Sequence, residues 1–262
     1  SCFGCPAARR SPRRGSWRQL ALALGAQPLI AHKQDGTPLF FPFGFSITLP
    51  AVVIPHGAPE IFPPRGRGAR MAVMLPADGV PTIAILGAIG PDKGARRIER
   101  LAEIARARKS RVRFVLIGYM DVQHGPWQAD DAVLTVHGRY APADLPDLLA
   151  HYRAALVLYP SAGPETFSYT LTEAWAAGRP VLVPPFGALA ERVQSARRLA
   201  GVHAGWVLTD AEWRSEARML ERIVALVAPA AAARLSAAAA KARGLPHVTL
   251  SEMTEATFAL YE

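Results

Sequence analysis

From Thr82 onward the hydrophobic positions of the chain alternate between two periods. Apolar runs of five to seven residues, TIAIL (82–86), VRFVLIG (112–118), AVLTVHG (132–138), AALVLYP (154–160) and PVLVP (180–184), read as buried strands. Between them, apolar residues recur at helical spacing: Ile98, Leu101 and Ala105 after the first run, a helix at about 142–151, and another at about 167–177 with Phe167, Leu171 and Ala174 on its apolar side. Strands alternating with helices of this length predict βαβ crossovers and a parallel sheet covered on both faces. Ligands of such sheets bind beyond the carboxyl ends of the strands. Functional residues are therefore expected in the loops that start near Gly87, Gly118, Gly138, Pro160 and Pro184.

The flanks are less regular. Ahead of residue 80 the pattern predicts a short helix at Trp17 to Leu24, a strand at Pro28 to Ala31, and a strand at Ala51 to Ile54 that ends in Pro-His-Gly; PPRGRGAR then reads as an exposed linker. That stretch looks like the end of a domain. Past the last strand, Asp210 to Pro229 is amphipathic, with Trp213, Leu220, Ile223 and Val227 on one side. An Ala-rich helix follows, and after Gly244-Leu245-Pro246 a short helix is expected near Ser251 to Tyr261. The expected division is 1–80, 81–245 and 246–262.

Composition narrows the classes. Half of the 262 residues are hydrophobic, enough for a substantial core. The net charge of +9 concentrates in two places, Arg9 to Arg18 and the cluster Lys93 to Arg113, so the remainder is slightly acidic. Such patches suit nucleic acid, an anionic membrane surface or phosphate-bearing metabolites, or else are simply solvated faces. No run approaches the twenty apolar residues that cross a bilayer, and no signal architecture opens the chain, which points to the cytoplasm. Cys2 and Cys5 form a lone CxxC, short of the ligands a zinc site needs. A start at Ser with that motif at the edge suits a piece of something longer.

Two stretches carry candidate chemistry. In LGAIGPDKG (86–94), Gly87 and Gly90 permit a close turn, Gly94 permits tight packing at a helix start, and the free N–H groups there favour an anion. Lys93 would oppose the helix dipole unless an anion were present, so the turn is either a phosphate site or a structural βα turn. In PSAGPETFSYTLTEAWAAGRPV (160–181), Glu165 is expected at a helix entrance, with Thr166 onward helical and Glu173 two turns on, about 12 Å away. These acids either contact two ends of one extended ligand, or are a dipole-stabilising carboxylate and an ordinary surface acid.

Read in order, GAIGPDKG, VRFVLIGY, VHGRYAPADLPDLLA and PSAGPETFSYTLTEAWAAGRPVLV resemble the nucleotide-binding half of GT-B glycosyltransferases over roughly residues 80 to 210. They are most similar to the retaining group with the Glu-x7-Glu motif, the glycosyl transferases group 1. The resemblance implies a Rossmann-like α/β fold, a parallel sheet with helices on both faces, joined to a partial N-terminal acceptor lobe. It also implies transfer of a sugar from a nucleoside-diphosphate sugar to an acceptor hydroxyl, in bacterial cell-surface polysaccharide or glycolipid synthesis. Carried across, Glu165 lies by the donor sugar as the catalytic candidate, and Glu173 accepts hydrogen bonds from the ribose. Lys93 and the turn at Gly87 meet the diphosphate, with the amides around Thr166 and Phe167. The base sits near Gly118 and Tyr140. The resemblance implies no metal and no cofactor, a glycan or glycolipid acceptor, no nucleic-acid partner, and a cytoplasmic location that allows peripheral association with the inner face of the membrane.

Two departures qualify this. Ala88 stands where the family has an arginine, a second phosphate ligand, and Arg139 is one substitute. The first lobe is nearly absent, which implies donor binding with poor turnover by this chain alone. A non-catalytic nucleotide-sugar-binding module and an epimerase-like protein are the alternatives. His56, His124 and His137 read as structural, Tyr119, Tyr140 and Tyr169 as possible ligand contacts, and Phe167 and Trp175 as core.

Overall fold

The structure, a computed structural model, describes residues 56–58, 73–121, 123–245 and 247–259, together with the backbone of a two-residue ladder in which β1 (Leu39–Phe40) pairs antiparallel with β2 (Ser46–Ile47). The expected helix at 17–24, the strands at 28–31 and 51–54, the N-terminal arginines and the Cys2/Cys5 pair lie outside the described residues. Contacts divide the chain into a larger unit at 57–254 and a smaller one made of 1–56 and 255–262.

The larger unit is built on a seven-stranded sheet in the order β5-β6-β4-β3-β7-β8-β9. The strands are β3 (Thr82–Ile89), β4 (Arg113–Met120), β5 (Trp127–Gln128), β6 (Leu134–Val136), β7 (Ala154–Leu158), β8 (Val181–Val183) and β9 (Gly205–Val207). All pair in parallel except β5, which runs antiparallel to β6 at the edge. The five runs read as strands from the sequence are β3, β4, β6, β7 and β8. β3 and β4 are apolar on both faces because both are covered. Ile83, Ile85, Phe114 and Leu116 join one core cluster, and Ala84, Leu86, Val115 and Ile117 join the other.

Eight α-helices are described: α1 (Ala95–Ala107), α2 (Leu145–His151), α3 (Tyr169–Ala176), α4 (Gly187–Ala200), α5 (Asp210–Trp213), α6 (Glu216–Val227), α7 (Ala232–Arg243) and α8 (Leu250–Phe258). Ile98, Leu101 and Ala105 of α1 pack with Met219, Leu220 and Ile223 of α6 over the first face. Leu145, Leu148, Leu171, Ala174 and Leu189 cover the second. The amphipathic tail folds as two helices, α5 and α6. Thr209 and Glu212 form a reciprocal capping box on α5, and the Ser215 hydroxyl accepts from Arg218 N–H to start α6 afresh. The hydrophobic pattern does not reveal α4 and β9, both short of periodic apolar signal. It extends the final helix to Tyr261, beyond the described residues, whereas α8 ends at Phe258.

Much of the basic cluster at 93–113 is paired. Arg97 bonds Glu216 at 3.1 Å, Arg100 bonds Glu103 at 2.9 Å and Arg108 bonds Glu221 at 2.8 Å, while Arg106 pairs with Asp131 and Arg113 with Asp78. The Asp78 carboxyl is held near pKa 2, chiefly by its hydrogen bond from Arg113. The cluster therefore lies on α1 and beside it as a solvated, largely ion-paired face, Lys93 apart.

Candidate functional site

The strand order reverses between β3 and β7, with β4 and β6 on one side and β8 and β9 on the other. A crevice opens beyond the carboxyl ends of strands at such a switch point. The two segments at those ends of β3 and β7 are 87–94, which includes the last residues of β3, and 159–168, both within the stretches singled out in the sequence.

The first turn runs through the 3-10 segment Pro91–Lys93 into α1 at Ala95. Lys93 is exposed at the amino end of α1, whose first turn has no acid and no side-chain cap. Gly94 has φ +91°, and a Cβ added there would stand 2.2 Å from Pro160 O. Only glycine allows that approach. It is locked by a hydrogen bond from Ala162 N–H to Asp92 O at 2.9 Å, so the loops after β3 and β7 are tied to each other. Gly87 and Gly118 face each other in the β3/β4 register; a Cβ at Gly118 would lie 1.9 Å from Gly87 O. Ala88, next to Gly87, is exposed and brings no charge.

The second loop differs from expectation at one point. Helix α3 starts at Tyr169, not Thr166, so Glu165 stands outside it and the 12 Å spacing along one helix does not apply. The carbonyls of Phe167 and Ser168 both accept from Arg192 of α4, at 3.1 and 2.9 Å; Ser168 O also takes Leu171 N–H at 3.2 Å, and Ser168 is turned to φ +69°. Glu165 is half-buried and accepts from the buried Ser161 hydroxyl at 3.0 Å, while its carbonyl takes Ala188 N–H of α4 at 3.0 Å. Glu173, half-buried on α3, has its carboxyl pushed up by burial. Thr166 is exposed.

Tyr140 is half-buried, and burial, with the charge of Glu173 adding to it, raises its phenol. Arg139 is exposed yet not simply solvated: its guanidinium lies 4.4 Å over the Tyr119 ring, which also stacks with His124 at 5.3 Å. Phe167 is only half-buried, covered by the Arg192 guanidinium at 4.2 Å, whereas Trp175 is core and donates to Ala204 O at 3.1 Å. His137 is buried and shares a 2.8 Å hydrogen bond with the Tyr152 hydroxyl, and His124 bonds Asp121 O at 2.8 Å.

Three residues support the site in ways the sequence does not mark. Arg192 holds the 167–168 carbonyls. Trp213 donates from Nε1 to Ser161 O at 3.2 Å and packs edge-on to Phe186 at 4.9 Å, bracing the loop that carries Glu165. Tyr159 is enclosed behind that loop, its phenol raised well above the ordinary value by burial, with Glu173 and Glu165 adding to the effect. No local signal marks the polar roles of Arg192 and Trp213, whose hydrogen-bond partners are 20 to 52 positions away.

An open, mostly parallel sheet with glycine-rich and acidic loops meeting at its switch point defines a Rossmann-like ligand-binding domain of the GT-B type. The chain belongs to the family of glycosyl transferases group 1, whose model matches residues 80–228. Among solved structures, the catalytic domain of starch synthase IV from Arabidopsis thaliana, bound to ADP and acarbose, is similar at TM-score 0.52 and 18% identity, over 71% of this chain and 39% of that one. A glycosyltransferase from Rickettsia africae is similar at 0.51 and 14%, over 80% and 56%. The chain therefore spans roughly two fifths to just over half of those proteins. No curated protein sequence matches it.

Proposed function

We propose that this chain is the donor-binding part of a glycosyltransferase that moves a sugar from a nucleoside-diphosphate sugar to an acceptor hydroxyl. The observation that carries the reading is the tie between the two loops at the switch point, Ala162 N–H on Asp92 O at 2.9 Å with Gly94 against Pro160. It keeps Lys93 and the Glu165 loop at one crevice. Family membership supplies the reaction class.

In this reading Lys93, the turn at Gly87 and the amides near Thr166 and Phe167 take the diphosphate. The leaving charge is then met by a lysine and backbone dipoles, without a metal. Glu165, oriented by Ser161, faces the sugar as the catalytic candidate. Glu173 accepts from the ribose hydroxyls, and the base lies near Gly118 and Tyr140. Retention at the anomeric carbon, a glycan or glycolipid acceptor in bacterial surface polysaccharide synthesis, and a cytoplasmic setting at the inner membrane face complete the proposal.

Calorimetry with UDP, GDP and ADP tests it. One of the three should bind, and Lys93→Ala and Glu173→Ala should each reduce that binding by about tenfold or more. Failure of all three to bind, or binding indifferent to both substitutions, refutes the donor site.

A further inference from the structure

Arg192 is a largely buried cation. Its Nη1 donates to Phe167 O at 3.1 Å and Ser168 O at 2.9 Å, and its Nη2 donates to Thr172 Oγ1 at 2.7 Å. Its guanidinium lies 4.2 Å from the Phe167 ring centre and 5.4 Å from that of Trp175. Among the described residues no carboxylate pairs with it, and burial brings its pKa down to about 10. A charge removed from water without a counter-ion is costly. The two ring faces attract the charge, but hydrogen bonds to two carbonyls and a hydroxyl need only a neutral donor, which leaves room for a further reason for the cation.

The geometry of the loop supplies one. A trans peptide is planar, so a carbonyl aimed at Arg192 sends the next N–H the opposite way. Arg192 sits on the buried side, and the N–H of Ser168 therefore faces outward, where α3 begins. In extended backbone consecutive carbonyls point opposite ways; here the chain turns at Ser168, φ +69°, and both carbonyls meet one guanidinium. On the other side of the crevice, the turn 87–94 contributes one cation, Lys93.

We infer that Arg192 is a positioning residue for the donor diphosphate: from behind the loop it sets the direction of the Ser168 amide and adds a positive charge that an anion at this site would neutralise. The ligand touches the amide, not Arg192. The inference rests on the donor-site reading above and goes beyond it in assigning a largely buried residue of α4 to phosphate recognition.

The test separates phosphate from nucleoside. The nucleoside diphosphate that binds best among UDP, GDP and ADP is titrated by calorimetry, and its parent nucleoside by NMR, into the wild-type chain and into Arg192→Met, Arg192→Lys and Thr172→Val. Arg192→Met should weaken the diphosphate by about tenfold or more and leave the nucleoside within about twofold. Arg192→Lys, which keeps the charge, should recover part of the loss, and Thr172→Val should show a smaller loss of the same kind. If Arg192→Met does not fold, the other two variants decide by the same criterion. Equal losses for both ligands, or no loss for either, overturn the assignment while the donor site stands. A wild-type chain that binds no nucleotide overturns both.

Discussion

Replacing Gly94 by alanine probes the contact that joins the two loops. At φ +91° an L side chain costs about 1–2 kcal/mol by itself. The added Cβ would also stand 2.2 Å from Pro160 O, a backbone atom, and about 1 Å closer than such atoms approach. The loops must part, and the Ala162 N–H bond to Asp92 O is lost with them, at about 1 kcal/mol. The expected loss is about 3 kcal/mol, or roughly 6–12 °C in Tm for a domain of this size. Gly79 is the control: its φ is +70°, but nothing lies within 4 Å of an added Cβ. Gly79→Ala should therefore lose only the conformational part, about 1 kcal/mol. Thermal melts of both variants by circular dichroism, with nucleotide titrations alongside, give the comparison. Equal Tm losses, or a Gly94→Ala chain with wild-type nucleotide affinity, would refute the idea that this approach holds the site together.

Two further outcomes are expected in the same region. Burial raises the folded-state pKa of Glu173, so the native chain holds that proton more tightly than the unfolded one, and stability falls as pH rises through the raised value. Glu173→Gln should raise Tm at pH 7, gain less as pH drops below the ordinary carboxylate range, and weaken nucleotide binding; a lower Tm at pH 7 contradicts this. Ser168→Gly removes the strain of φ +69° at the loss of a 3.2 Å contact with Thr170, and should stabilise by about 1 kcal/mol, read as a Tm rise of about 3 °C. An unchanged Tm would mean that Arg192 and its two carbonyls do not hold Ser168 against its preference.

The sequence by itself determined the five buried strands, the helices around Ile98, Leu145 and Leu171, and the two loops that meet at the switch point. These are written locally: apolar runs distinguish strands covered on both faces, and glycines such as Gly87 and Gly94 mark where the backbone turns or approaches closely. What only the tertiary structure decided depends on partners distant along the chain. That α3 starts only at Tyr169 goes with partners far along the chain: Arg192, 23 positions further on, takes Phe167 O, and Ala188 N–H takes Glu165 O, carbonyls that an earlier helix start would use. Arg139 becomes a stacked side chain because β4 brings Tyr119 beneath it, and Trp213 becomes a brace because α5 returns to Ser161. A single guanidinium or indole carries no period and no motif; its role is fixed by the groups that packing places within about 3 Å of it.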